Sequence, residues 1–164
     1  MSDRGKKIFL GLSIAVPFLL YCVYYYGGMI KNAPYKFSEF QGITFRYGKM
    51  GTENEYNSQK GTYRYLNEQN KIILEKVHLS KNDLLYIHRK ASDLGFWNFP
   101  EKMLPEDNSG NHFYIEMIYK RKVKKIFFSS EWSENPKIAD ATKQFITTVQ
   151  KTINDAESSR KYQQ

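Results

Sequence analysis

The chain opens with a short basic head that contains Arg4, Lys6 and Lys7, followed by an uncharged run of 23 residues from Ile8 to Ile30. As a helix rising about 1.5 Å per residue, this run would extend roughly 34 Å, more than the hydrocarbon core of a bilayer at about 30 Å. Tyrosines gather toward its C-terminal end, where their rings can lie among lipid headgroups. The sequence therefore predicts a transmembrane helix within residues 1–30 and a separate folded unit after it.

Two interpretations of this segment stay open, a retained signal anchor and a cleavable signal peptide. Its most apolar part, Ile8 to Val23, is only slightly longer than the apolar region of a signal peptide, but the bulky Tyr26 before Gly28 is unfavourable for cleavage. Cys22, the single cysteine, follows Tyr21 rather than the small residue that a bacterial lipoprotein signal places there. We therefore expect an anchor that is neither cleaved nor lipidated.

The basic residues near the span predict its orientation. Those of the head are close together, whereas Lys31, Lys36, Arg46 and Lys49 are spread along the other side. This bias favours a cytoplasmic N-terminus and an extracytoplasmic domain, which in a bacterial cell lies in the periplasm or at the outer face of the membrane. The reverse orientation would give a cytoplasmic domain whose basic surface touches anionic lipid.

The remaining 134 residues suit one domain with a hydrophobic core. We divide them into a juxtamembrane connector (31–42), a single α+β domain (43–154) and a polar tail (155–164). Without the basic head and Asp3, the net charge is +6, compared with +8 for the whole chain. This excess favours acidic partners, but by itself it does not indicate nucleic acid.

Alternating and β-branched residues predict three antiparallel strands, Ile43 to Lys49, Gly61 to Leu66 and Ile72 to Leu79. The period then becomes helical, and Ser80 with Asp83 three residues later resembles a capping box. Gly95 supplies a left-handed stop for this helix.

A second pair of strands, Asn111 to Tyr119 and Val123 to Ser129, surrounds the basic turn Lys120 to Lys122 and predicts a hairpin. The last helix begins near Asn135, with Pro136 at its first position. The order βββ-α-ββ-α predicts an α+β fold with an antiparallel sheet of about five strands and both helices on one face.

This order of elements, with a helix ending in the string Gly95-Phe96-Trp97-Asn98-Phe99-Pro100, resembles small bacterial envelope domains, membrane-anchored or lipoprotein-like, of unknown function. The resemblance covers Ile43 to Asn154 and lies in the layout of the elements. It implies an envelope protein and transfers no catalytic residues.

Candidate partner contacts are two tryptophans and a group of cations. Each has a structural alternative: an aromatic plug of the core for the first ring, a ring folded over the last helix for the second, and a solvated hairpin turn for the cations. The residues are Trp97, Trp132, Lys120, Arg121, Lys122, Lys124 and Lys125.

Motifs for catalysis, metals and cofactors are absent from the sequence. The histidines His78, His88 and His112 are too dispersed for a compact metal motif, and we expect no cofactor. The sequence predicts a single-pass membrane protein whose non-enzymatic domain binds an envelope partner, either a protein or an anionic polymer. The rival hypothesis is a tethered hydrolase in which His88 meets Asp83 or Glu116.

Overall fold

A computed structural model describes residues 3–32, 35–49 and 54–161 of the chain, with side chains for 4–27, 35–49 and 54–160. Contacts divide the chain into two compact units, with the boundary between Lys36 and Phe37. The first unit contains helix α1, Asp3–Asn32. The second unit contains all the strands and the other two helices of the described residues.

Helix α1 has the length and composition of a membrane span. Its segment Arg4–Gly27 covers 24 residues and contains an 18-residue window with a mean hydropathy of 2.0, none of which is buried. A signal sequence near the N-terminus has the same properties. The predicted apolar helix is therefore present, while its retention and orientation stay predictions.

The second unit is an α+β fold built on one mixed, open sheet. Its order along the sheet is β4-β3-β2-β1-β6-β7-β5, and only β5 and β7 run parallel among the described strand pairs. The elements are β1 (Phe40–Gly48), β2 (Asn54–Asn57), β3 (Thr62–Leu66), β4 (Ile72–Lys76), α2 (Lys81–Asp93), β5 (Lys102–Met103), β6 (His112–Tyr119), β7 (Val123–Ser129) and α3 (Pro136–Lys161).

The predicted count of about five strands, all antiparallel, was wrong, because the described residues form seven. Strand β2 consists of polar residues around Tyr56, which is fully buried, and asparagine is a residue that favours turns over strands. Strand β5 is two residues long. Both are stabilised by ladders to distant neighbours, so their own composition gives a weak signal. Strand β1 also begins earlier than predicted, at Phe40, inside the expected connector.

Helices α2 and α3 lie against one face of the sheet, which we call the inner face. On α2, His88 packs against Tyr119 of β6 with ring centroids 6.0 Å apart. On α3, Ile153 lines the same shallow cavity as Phe45 of β1. Most inner-facing side chains of the central strands are buried, among them Phe45, Ile115 and Phe128. Helix α3 turns one stripe of side chains into this core, namely Thr142, Phe145, Val149 and Ile153.

The helix ends follow the local signals. Ser80 and Asp83 form the complete capping box at the start of α2, and Gly95 has φ 70° in the left-handed region. Asn135 accepts a hydrogen bond from the Ile138 amide at 3.2 Å at the start of α3. Helix α3 continues to Lys161, so the segment predicted as a polar tail is helical up to that residue.

Candidate functional site

The other side of the sheet, which we call the outer face, carries a ladder of side chains across three strands. In the pairing register, Arg46 on β1 lies beside Tyr114 on β6, which lies beside Phe127 on β7. Their sequence neighbours Phe45, Ile115 and Phe128 are buried on the inner face, so alternation places this row on the outer face.

The three side chains of this row contact one another. The Arg46 guanidinium lies 4.3 Å from the centroid of the Tyr114 ring, and the centroids of Tyr114 and Phe127 are 4.7 Å apart. The outer ring stays accessible, since Phe127 is 42% exposed. A cation–π contact and a tilted aromatic pair thus hold a preformed apolar and cationic surface, which we call the outer row.

The adjacent row is an ion pair. Glu116 on β6 and Lys125 on β7 face each other in register, and Lys125 Nζ lies 3.2 Å from Glu116 Oε1. The hydrogen bond to Glu116 raises the pKa of Lys125. Burial, and then the charge of Glu116, raise the pKa of the Tyr114 hydroxyl. Both residues therefore keep their protons at neutral pH.

A cavity of about 220 Å³ adjoins the outer row on its other side. The loop that follows β5 contributes Leu104 and Asn108, and β6 contributes His112. Asn108 adopts a left-handed conformation with φ 54°, and its Oδ1 lies 3.1 Å from His112 Nε2. Because an amide oxygen can only accept, His112 donates this hydrogen bond from Nε2, and its Nδ1 is buried. Among the described residues, none hydrogen-bonds to this buried Nδ1.

The five cations of the predicted cluster do not form one surface, because the hairpin places them in different environments. Lys120 and Lys122 are exposed at the turn, whereas Arg121 is paired through two hydrogen bonds, 2.7 and 2.6 Å, with the Glu39 carboxylate. Lys124 is buried on the inner face, where its Nζ donates to the carbonyl oxygen of Phe99. Lys125 faces the opposite side in its pair with Glu116.

The two tryptophans lie in the packed part of the unit. Trp97 is half-buried, with its ring centroid 5.7 Å from His88 and 5.5 Å from Tyr119. Trp132 is 5% exposed, so little of its ring is available to a partner. The structure does not bring either ring to the outer row.

His88, Asp83 and Glu116, the residues of the hydrolase hypothesis, each make contacts with other groups. His88 is surrounded by four aromatic rings whose centroids lie 5.5 to 6.0 Å from its own, those of Phe37, Phe40, Trp97 and Tyr119. Asp83 is held in the capping box, and Glu116 pairs with Lys125 on the outer face. No group of three metal-ligating side chains occurs among the residues with described side chains.

Sequence reasoning did not find the outer row. Alternation within β6 places His112, Tyr114 and Glu116 on one face, and that signal is visible in the sequence. The pairing of Tyr114 with Arg46 and Phe127 depends on the register between distant strands, which one sequence does not specify.

Comparison with known proteins gives no function for the chain, so a functional assignment depends on the geometry of the outer row and its cavity. No family model matches the chain, and no curated protein matches it.

Proposed function

We propose that this chain is a membrane-tethered binding protein whose folded unit recognises a protein partner in the cell envelope through the outer row and its cavity. The observation that carries the proposal is the row of contacting side chains Arg46, Tyr114 and Phe127 beside the cavity. Tyrosine and arginine are among the side chains that dominate binding energy at protein interfaces.

The size of the cavity favours a side chain as the bound group. Its volume of about 220 Å³ holds about seven waters at roughly 30 Å³ each. Sites for drug-sized ligands are larger, about 300 to 1,000 Å³. An apolar or aromatic side chain of the partner fits this space, which the rings of Tyr114 and Phe127 line.

A protein partner is favoured over an anionic polymer by the arrangement of the cations. A polymer needs a continuous basic surface. Here Arg121 and Lys125 are neutralised by carboxylates, and Lys124 is buried. The tether is supported by the apolar helix Arg4–Gly27.

The test uses the full chain in intact cells with a photo-crosslinking amino acid at Phe127, and the same probe at Tyr86, which is 57% exposed on α2, as the matched control. We expect a saturable adduct from position 127 and none from position 86. Adding Arg46→Ala should reduce the adduct about 30-fold, the effect of losing a hot-spot side chain worth about 2 kcal/mol.

Two outcomes contradict the proposal. An adduct that is insensitive to Arg46→Ala, in a variant that retains its melting temperature, would exclude the outer row as the binding site. Protease protection of a C-terminal tag until the membrane is dissolved would place the folded unit in the cytoplasm and exclude an envelope partner.

A further inference from the structure

Strand β4 forms one end of the sheet and exposes apolar side chains there. Ile72 is 66% exposed and Leu74 is 70% exposed, both on the outer face. Among the described strands, only β3 pairs with β4. An exposed apolar edge strand is a template for pairing with another chain, and folded proteins usually blunt such an edge.

The hydrogen-bond pattern identifies which backbone groups this edge offers. The amide of Val77 donates to the Gly61 carbonyl and that of Asn67 to the Lys71 carbonyl, both at 3.0 Å. In an antiparallel ladder, hydrogen-bonded pairs recur at every second residue. The backbones of residues 71, 73, 75 and 77 therefore face β3, and those of Ile72 and Leu74 face away from it.

The next outward-facing carbonyl, that of Lys76, is already used. Arg160 on α3 donates to it, which limits the open edge to Ile72 and Leu74 on this side. A two-fold pairing that keeps the contact between Arg160 and Lys76 and uses Ile72 and Leu74 against each other is centred on Ile73.

We propose that β4 pairs antiparallel with β4 of a second copy of this chain, about a two-fold axis at Ile73, so that two sheets join into one. In this register Ile72 of each copy lies opposite Leu74 of the other, and both residues exchange backbone hydrogen bonds with their counterparts. The exposed apolar side chains of the outer face then cover each other. Closed two-fold symmetry is the commonest form of association between identical chains.

Charge complementarity supports a second copy as the occupant. The same register places Lys71 opposite Glu75 of the other copy, twice by symmetry, and Glu75 is already near Arg160 at 3.5 Å. A register centred one residue later, on Leu74, would place Ile73 opposite Glu75 and Ile72 opposite Lys76. It would also displace Arg160 from the Lys76 carbonyl. The axis at Ile73 is therefore the complementary one.

Disulfide formation tests both the pairing and its register in the full chain in detergent micelles. Each variant carries Cys22→Ser to remove the native thiol. The two Cα atoms at position 73 would lie about 4.5 Å apart, within the range of a disulfide, whereas those at position 74 would be about 8 to 9 Å apart. We expect Ile73→Cys to form a covalent dimer on oxidation and Leu74→Cys to remain monomeric on a non-reducing gel.

A second measurement separates this edge from association through α1. Leu74→Lys should weaken the dimer about 100-fold by light scattering, because symmetry places the buried charge at two positions. Val123→Lys, an exposed strand position elsewhere on the outer face, should leave it unchanged.

Three results would overturn the proposal: a wild-type chain that is monomeric at every soluble concentration, cross-linking at position 74 in place of 73, or a dimer that Leu74→Lys does not weaken. These results leave the outer row untouched, so they are distinguishable from a failure of the proposed function.

Discussion

Two adjacent lysines of β7 should differ strongly in how much their truncation destabilises the protein, although the sequence placed both in one basic cluster. Lys124 is 7% exposed, with its side chain in the inner core and its ammonium donating to the Phe99 carbonyl. Lys125 is exposed and pairs with Glu116 across the outer face. The perturbation that separates these environments is replacement of each lysine by alanine.

The expected magnitude follows from the buried stem. Lys124→Ala removes three methylenes beyond Cβ, worth about 0.8 kcal/mol each, so the packing loss is about 2.4 kcal/mol. Lys124→Met removes the same charge and hydrogen bond but keeps an unbranched side chain of similar length. Both variants lose the same charge and hydrogen bond, so only the packing loss distinguishes them. Their free energies of unfolding should therefore differ by about 2 kcal/mol. Lys125→Ala should change stability much less than Lys124→Ala, because solvent screens an exposed ion pair.

Chemical denaturation of the full chain in a non-denaturing detergent would measure these differences through tryptophan fluorescence, since both tryptophans lie in the second unit. The reasoning is refuted if Lys124→Ala is no more destabilising than Lys125→Ala. It is also refuted if the alanine and methionine variants at position 124 unfold at the same denaturant concentration.

Three further predictions concern a cap, an ion pair and two phenols. Ser80→Ala should cost about 1 kcal/mol in urea denaturation by breaking the capping box, and an unchanged midpoint would contradict this. Arg121→Ala should destabilise slightly at low salt and not at 1 M salt, where the Debye length is about 3 Å; a salt-independent loss would argue against the Glu39 pair. Burial raises the pKa of Tyr56 and Tyr63. As pH rises past about 10, the unfolded state loses protons that the folded state keeps, so stability should fall by up to about 1.4 kcal/mol per pH unit for each tyrosine. Tyr63→Phe should reduce the loss of stability per pH unit above about pH 10, and an unchanged dependence of stability on pH would contradict this prediction.

The elements predicted correctly are those whose signals are local. The capping box at Ser80, the left-handed Gly95, the start of α3 at Asn135 and the hairpin around Lys120 each depend on a few consecutive residues. Backbone sterics and short-range hydrogen bonds decide such features, so they are visible in one sequence.

The missed features depend on distant pairings. Strand β7 has apolar residues on both faces, with Ile126 and Phe128 inside and Phe127 outside, so its alternation did not show which face would take Lys124. Strands β2 and β5 exist because neighbouring strands supply their hydrogen bonds. The outer row likewise requires the register that places Arg46 beside Tyr114.

The two proposed surfaces are compatible because they use different strands. The outer row lies on β1, β6 and β7, whereas the open edge belongs to β4, with β3 and β2 between them. Pairing through β4 would therefore leave both cavities of a dimer accessible on one continuous outer face. A partner that is itself oligomeric would then meet two sites at a fixed spacing, and its second contact would benefit from a high effective concentration. Leu74→Lys should consequently weaken the capture of such a partner without altering any residue that contacts it, whereas Arg46→Ala should weaken capture and leave the dimer intact.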